Sequence, residues 1–370
     1  MVDPTADPII DVAASDLASL PSAAVGDIPV DADDLVACLV PIWAIAAAFA
    51  SSVIAIYVGL GVLSESRPAI RVAVVAVGLL CAYFGYRSLG RRLRGAGFRA
   101  GLWLAVGWLG IVVLSALLAG VLPFTESKNP SLTFQEPVLA SPDLLSRHPL
   151  GTDRQGLDVL GGIAYGFRVS TIVGLGSVAL GLVIGGMVGT IAGYHRGRLD
   201  QLLEFFTNSL LAFPPLILLL GVAATMDRNV LNITVALAIV SAPVYVRLAR
   251  ATAIVVSQRE FVVAARVLGA RNRHIIRKDI APGVLRPLLS YAFVMVAAMI
   301  VAEASLSFLG LGIARPDPTL GNMINAGQAD FETYPHLVFT PATALFLTVL
   351  SLNLVGEELQ RRWNPRVQKI

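Results

Sequence analysis

Ser257-Gln-Arg-Glu-Phe-Val-Val-Ala-Ala-Arg-Val-Leu-Gly269, continuing Ala-Arg-Asn-Arg-His-Ile-Ile-Arg-Lys-Asp-Ile-Ala-Pro282, is the stretch on which the reading of this chain turns. It separates two long apolar runs and is too long for a simple connector. Ser257 and Glu260 match a capping box, in which the serine caps a helix and the glutamate three residues on reaches back. Gly269 is the residue type that ends a helix in the left-handed conformation. A second short helix is expected over about residues 271–280, stopped by Pro282. Between the caps, Ala264 and Ala265 leave room for close approach of another surface. Arg266, Arg271, Arg273, Arg277 and Lys278 surround them as a basic rim. Local physics leaves two readings open: a docking surface for a partner, or a basic loop lying on anionic lipid.

Outward from this stretch the chain is a series of apolar runs. It is 56% hydrophobic and only 14% charged, with a mean hydropathy of +0.74, against about 25% charged residues in soluble domains. A membrane crossing needs about 20 apolar residues of helix. Uncharged runs of suitable length occur at 35–64, 100–125, 169–194, 205–226, 229–246 and 337–356. Two more are interrupted. Residues 72–86 are bounded by Arg71 and Arg87, which can snorkel, and 287–310 contain Glu303. The expectation is an all-α polytopic protein with eight spans.

Arginine placement orients them. The loop 87–100, the residues Arg196 and Arg198, the segment 247–286 with its nine basic residues, and the C-terminal tail all fall on one side of an eight-span topology. The positive-inside rule makes that side cytosolic, with both termini there. Residues 1–64 contain no Lys or Arg, so a secretory signal peptide is excluded. Residues 1–34, rich in aspartate and proline, read as an acidic disordered tail.

Ser177, Gly181, Gly185, Gly189 and Gly193 recur every four residues in one span, a spacing that lets helix backbones approach closely in lipid. Pro214 and Pro215 predict a kink in another. Thr152 and Gln155 form a second capping-box pattern. After it Leu157, Leu160, Ile163, Ala164 and Phe167 line one face of an amphipathic helix expected outside, ahead of span 169–194. Cys38 and Cys81 give neither a disulfide framework nor a metal spacing. His148, Asp153 and Asp158 match no compact ligand set, so no metal is expected. No phosphate-binding lysine loop, nucleophile elbow or zinc motif is present, and no catalytic residue is read. Sparse aromatics among the basic residues argue against nucleic acid as a partner. Glu303 is the one acid deep in an apolar run and a functional candidate on that ground. Arg168 begins its span on the same outer side, and the two are expected to pair near an external gate.

The stretch Glu260-Phe-Val-Val-Ala264-Ala265-Arg-Val-Leu-Gly269, with Ile280 and Pro282 following, resembles the EAA loop of ATP-binding-cassette importer permeases. Pro282 lies thirteen residues after Gly269, as in the peptide-importer branch. Val263 stands in place of that motif's glutamate and Ala281 in place of its leucine. His148-Pro-Leu-Gly151-Thr-Asp153-Arg-Gln-Gly156-Leu-Asp158 is similar to the opening of the core in dipeptide and oligopeptide permeases of the C-type. Ala302-Glu303-Ala-Ser-Leu-Ser-Phe-Leu-Gly310-Leu-Gly312 is similar to the end of the fifth core helix. The resemblance covers about residues 100–368, leaving two extra N-terminal spans within 35–99.

The resemblance implies a six-helix importer-type core at 100–370 that forms half of a translocation path for di- or oligopeptides. It also implies a coupling loop at 257–282, built on Ser257, Glu260, Ala264, Ala265, Gly269, Ile280 and Pro282. The implied partners are a second homologous permease, two ATPase subunits or domains carrying ATP and Mg2+, and an extracytoplasmic solute-binding protein. The implied location is the bacterial inner membrane. Nickel or another small solute is an alternative cargo within the same class. An ion-driven secondary transporter is a second alternative, for which the midplane acids and internal repeats are missing.

Overall fold

The computed structural model describes residue 77 and residues 79–83, 85–90, 99–120, 133, 136–143 and 147–363. The acidic tail, the span at 35–64, much of the span at 72–86 and the end of the basic C-terminal tail lie outside these residues. The chain divides into two compact units, Met1–Ala100 and Gly101–Ile370. In the first, the described residues from 77 to 90 are helical.

The second unit is built from helices, as expected where backbone groups must satisfy one another within each segment. In chain order they are α1 (Ala100–Leu118), α2 (Val159–His195), α3 (Arg198–Ala212), α4 (Pro215–Ala223) and α5 (Val230–Val256). Two short helices follow, α6 (Glu260–Val267) and α7 (Asn272–Ile275). A wide π turn over Ile276–Ile280 leads into α8 (Ala281–Phe308), and α9 (Leu320–Gly327) and α10 (His336–Trp363) complete the unit. Among the described residues, five helices are long and apolar enough to cross a membrane, or six if the bent pair α3 and α4 counts as one span.

The helix pair α2 and α5 forms the spine. Gly181, Gly185, Gly189 and Gly193 face α5 so closely that added Cβ atoms would lie 2.2 Å from Ser241 Oγ and 2.5, 2.3 and 2.6 Å from the carbonyl oxygens of Ala242, Val246 and Arg250. Ser177 continues this face, and its carbonyl accepts from the Ser241 hydroxyl at 3.4 Å. Helix α8 packs across both α2 and α5, and α10 packs on α8. The main core draws Val173, Leu237, Tyr245, Met299 and Ile300 from these elements. A second, smaller core joins Val112 of α1, Ile163 and Phe167 of α2, Leu320 of α9, and Leu337 of α10.

Four expectations are corrected. The amphipathic helix ahead of span 169–194 is no separate element, because α2 runs unbroken for 37 residues from Val159, about 55 Å at the α-helical rise. Its N-cap is Asp158, which accepts the Gly161 N–H at 2.8 Å. Thr152 caps nothing: its hydroxyl donates to Pro137 O and accepts from Ala140 N–H. Of the expected apolar face, Ile163, Ala164 and Phe167 are buried in the bundle, Leu157 is half-buried and Leu160 is exposed. The bend expected at Pro214 and Pro215 is present and is sharp, with α3 and α4 meeting at 93°. Pro215 opens α4 at a first-turn position, where its missing N–H costs no hydrogen bond.

The Ser257–Glu260 capping box is not formed. Helix α5 continues to Val256, so Ser257 is its C-cap in a helical conformation and donates its hydroxyl back to Ile254 O at 2.8 Å. A residue held in that conformation cannot take the extended geometry of an N-cap. Arg259 precedes α6 instead, without a side-chain cap. Pro282 does not stop a helix either. It sits in the first turn of α8, and the π turn before it lets the Ala281 N–H reach Ile276 O.

Candidate functional site

The two short helices form a platform at the end of the bundle where α2 and α5 finish. Val262 of α6 is fully buried, as are Ile275 of α7 and Ile280, and all three join the main core with Ala253 and Val256 of α5. The Tyr194 hydroxyl near the end of α2 donates to Asn272 Oδ1 at 2.8 Å. The Arg266 guanidinium lies over the Tyr194 ring, 5.4 Å from its centroid, a cation–π contact. These contacts fix one face of the platform.

Among the described residues, nothing covers the other face. Phe261, Val263, Val267 and Leu268 are exposed, the last two at 81% and 86%. Glu260, Ala264 and Pro282 are exposed as well, and Ala265 is half-buried. Gly269 adopts φ +80°, a conformation that favours glycine. Its N–H bonds to Arg266 O at 3.1 Å, and the next N–H, of Ala270, bonds to Ala265 O at 3.0 Å. That pair of bonds is a Schellman C-cap. It turns the chain sharply enough to bring Ile275 back under α6. Of the seven residues expected in the coupling loop, Glu260, Ala264, Ala265, Gly269 and Pro282 are open to this side, Ile280 is fully buried beneath it, and Ser257 ends the preceding helix.

Arg250 braces the platform from behind. Its guanidinium bonds to both Asp200 oxygens at 2.5 and 2.9 Å, and to Glu204 at 3.0 Å. This ties α3 to the end of α5. Nothing in local sequence pairs residues fifty positions apart, so the bridge was not legible there.

The opposite end of the bundle is closed by polar groups. Glu303 is fully buried. Its carboxylate accepts from the Ser307 hydroxyl at 2.7 Å and from Ser170 at 3.3 Å, and the Thr319 hydroxyl also bonds to it. Thr319 is at the same time the N-cap of α9, accepting the Asn322 N–H at 3.1 Å in a reciprocal capping box. Its oxygen serves the cap and its proton serves Glu303. One carboxylate thus joins α2, α8 and α9. The expected ion pair with Arg168 is not present: the Arg168 side chain is exposed and lies beside Gly120. Three hydroxyls from packed helices occupy Glu303 instead. Ser307, one helical turn after Glu303, was readable as a neighbour; Ser170 and Thr319 were not.

His148 lies just before α2 and is also buried. Its Nε2 is 3.2 Å from Glu136 and its Nδ1 is 3.4 Å from Asp158. Burial pulls the imidazole pKa down, but the two carboxylates outweigh it and hold the value above the ordinary histidine range. Only the doubly protonated ring can donate from both nitrogens at once. Asp153 accepts the N–H groups of Gln155 and Leu157, shaping the turn ahead of α2. Among the described residues, no group of three or more His, Cys, Asp or Glu side chains could hold a metal ion.

Residues 185–369 match the family described as binding-protein-dependent transport system inner membrane component. The chain is 36% identical over 223 residues to the glutathione transport system permease protein GsiD of Pectobacterium atrosepticum, covering 60% of this chain and 74% of that protein. It is 32% identical over 268 residues to the di/tripeptide transport system permease protein DppC of Pseudomonas aeruginosa, covering 71% of this chain and 88% of that protein. The GsiD protein of Escherichia coli O157:H7 is 35% identical over 222 residues, 60% of this chain and 73% of the relative.

Proposed function

This chain belongs to the binding-protein-dependent transport system inner membrane components, and on that premise we propose that it is the permease subunit of an ATP-driven peptide importer, coupled to its motor through the platform of α6 and α7. It is a multi-pass inner-membrane transport subunit and not an enzyme. Its similarity to permeases named for glutathione and for di- and tripeptides supports short peptides as the cargo class. The platform side then faces the cytosol, as the arginine distribution indicates, and the Glu303 and His148 end faces outward. A second, homologous permease forms the other half of the path. Two ATPase subunits or domains bring ATP and Mg2+, and an extracytoplasmic solute-binding protein delivers the peptide. The importer core occupies residues 100–370, and the two further spans expected within 35–99 lie mostly outside the described residues.

The observation that carries the motor assignment is the two-sidedness of α6. Val262 is locked into the core while Val267 and Leu268, on the same eight-residue helix and its cap, stand almost fully in the open. An apolar face rimmed by arginine, fixed from below and bare above, is suited to a groove on a partner. Closure of the ATPases on ATP would push α6, and the push would pass through Val262, Ile275 and Ile280 to the ends of α2, α5 and α8. The result is a shift in population between inward-open and outward-open states, driven by contacts that differ between them.

The test is co-purification and transport with the cognate ATPases after Ala264→Trp and Gly269→Val. Loss of ATPase binding and of peptide uptake, with the permease still inserted and folded, is the expected outcome. ATPases that stay bound and uptake that is unchanged would show that the motor docks elsewhere.

A further inference from the structure

The coupling role leaves one polar cavity of the bundle unused. It has a volume of about 400 Å³, within the range of about 300–1,000 Å³ usual for small-molecule sites. It lies at the end away from α6 and α7, where the turn ahead of α2, the loop after α8 and helix α9 converge. Most of its polar wall is already engaged. Arg154 bonds to Asp330, with Nη2 to Oδ1 at 2.7 Å. Arg315 bonds to the Gln155 side-chain oxygen and lies 3.6 Å from Asp153. Asn322 is used at both ends, accepting from Thr319 N–H and donating to Asp317 O. Those two arginines and two aspartates cancel in charge.

Two groups on the wall are left over. Asn325 donates its amide to Phe308 O at 2.7 Å and keeps its own side-chain oxygen. Arg228 is anchored by its backbone, whose carbonyl accepts from Ala314 N–H at 3.1 Å. Arg228 is exposed and has no ion-pair partner among the described residues, and with it the lining of the cavity carries three arginines against two aspartates. A guanidinium offers a planar fork of donors that matches a carboxylate with two parallel bonds.

We propose that this cavity is a carboxylate-binding site anchored by Arg228, and that its ligand is the terminal carboxylate of a short peptide. The peptide part rests on the function proposed above; the carboxylate part rests on the cavity alone. The same chemistry could come from an acidic side chain of the delivering protein, so the experiment separates the two sources. The site would hold arriving solute at the outer mouth by the one group that every linear peptide carries, whatever its side chains.

The assembled transporter in lipid nanodiscs is titrated calorimetrically with Ala-Ala, with Ala-Ala amide and with succinate, as wild type and as Arg228→Ala and Arg228→Lys. The expected result is binding of Ala-Ala that weakens at least tenfold in Arg228→Ala, is only partly restored by lysine, and is absent for the amide. A second titration uses the solute-binding protein without peptide. If free Ala-Ala does not bind but the binding protein's affinity falls tenfold in Arg228→Ala, the carboxylate site stands and its source is the partner. If neither titration responds to Arg228 in a transporter that imports dipeptides, the site is wrong and the peptide reading survives. If succinate binds through Arg228 while dipeptides are not imported, the peptide reading is wrong and the carboxylate site survives.

Discussion

The two ends of the bundle handle their unsatisfied groups in opposite ways. At the Glu303 end, a buried carboxylate gathers hydroxyls from α2, α8 and the cap of α9, so Glu303 itself is satisfied within the chain. At the α6 end, apolar side chains stay in the open and arginines surround them. A junction whose hydrogen bonds are internal contributes to the stability of this chain. A surface whose apolar area is uncovered contributes little to it and gains only when another chain arrives. Substitutions at the first end should therefore be read in stability, and those at the second in association.

The sharpest way to break the contrast is Glu303→Leu. It removes the acceptor of three hydroxyls and should cost roughly 3 kcal/mol, read as a lower melting temperature of the purified permease. Glu303→Gln, which keeps an acceptor, should cost clearly less. An unchanged melt in the leucine variant would mean that the hydroxyls find equally good partners in their own helices.

Leu268→Asp tests the other end. It should leave the permease melt within about 0.5 kcal/mol, as exposed positions usually do, yet weaken ATPase association at least tenfold, about 1.4 kcal/mol. A large drop in melting temperature with association intact would invert the assignment of the two ends.

Smaller effects belong to the caps and to titration. Thr319→Val removes both the cap of α9 and one hydroxyl on Glu303, and should cost about 1 kcal/mol through the cap. His148 adds a dependence on pH. Its folded pKa is raised above 6.5, so its contribution is fully present below the unfolded value and is lost as pH rises through the folded one. The melt should fall between mildly acidic and alkaline buffer by more in the wild type than in His148→Asn. Equal pH slopes in the two proteins would remove the imidazolium bridge between Glu136 and Asp158.

Much of this molecule was legible along the chain because the relevant physics is local or one-dimensional. Apolar runs of membrane-spanning length predict helices wherever water is excluded. Glycines every fourth residue predict a face for close helix contact, and α5 lies on that face. Gly269 predicts a left-handed helix end, and it has one. The family resemblance was carried by motifs of the same kind, a helix, a glycine turn and a helix at fixed spacing.

Other features depended on where distant segments come to rest. Ser257 carries the same local signal as a helix N-cap, but α5 runs on until it absorbs that residue. The Thr152 pattern fails for a similar reason, since its hydroxyl is taken by Pro137 and Ala140 across a loop. Glu303 was visible as an unusual acid in an apolar run, and its partner was sought among opposite charges. A buried carboxylate takes whatever donors the packed helices bring within reach, and one of these, Ser170, lies 133 residues away in sequence. Composition and spacing by themselves determined that this chain spans a membrane, where its helices approach closely, and where two short helices meet at a glycine turn. Tertiary structure alone decided which helix ends are caps, how Glu303 is satisfied and which arginine is left over, because a hydrogen-bond partner is settled by proximity in space and not by order along the chain.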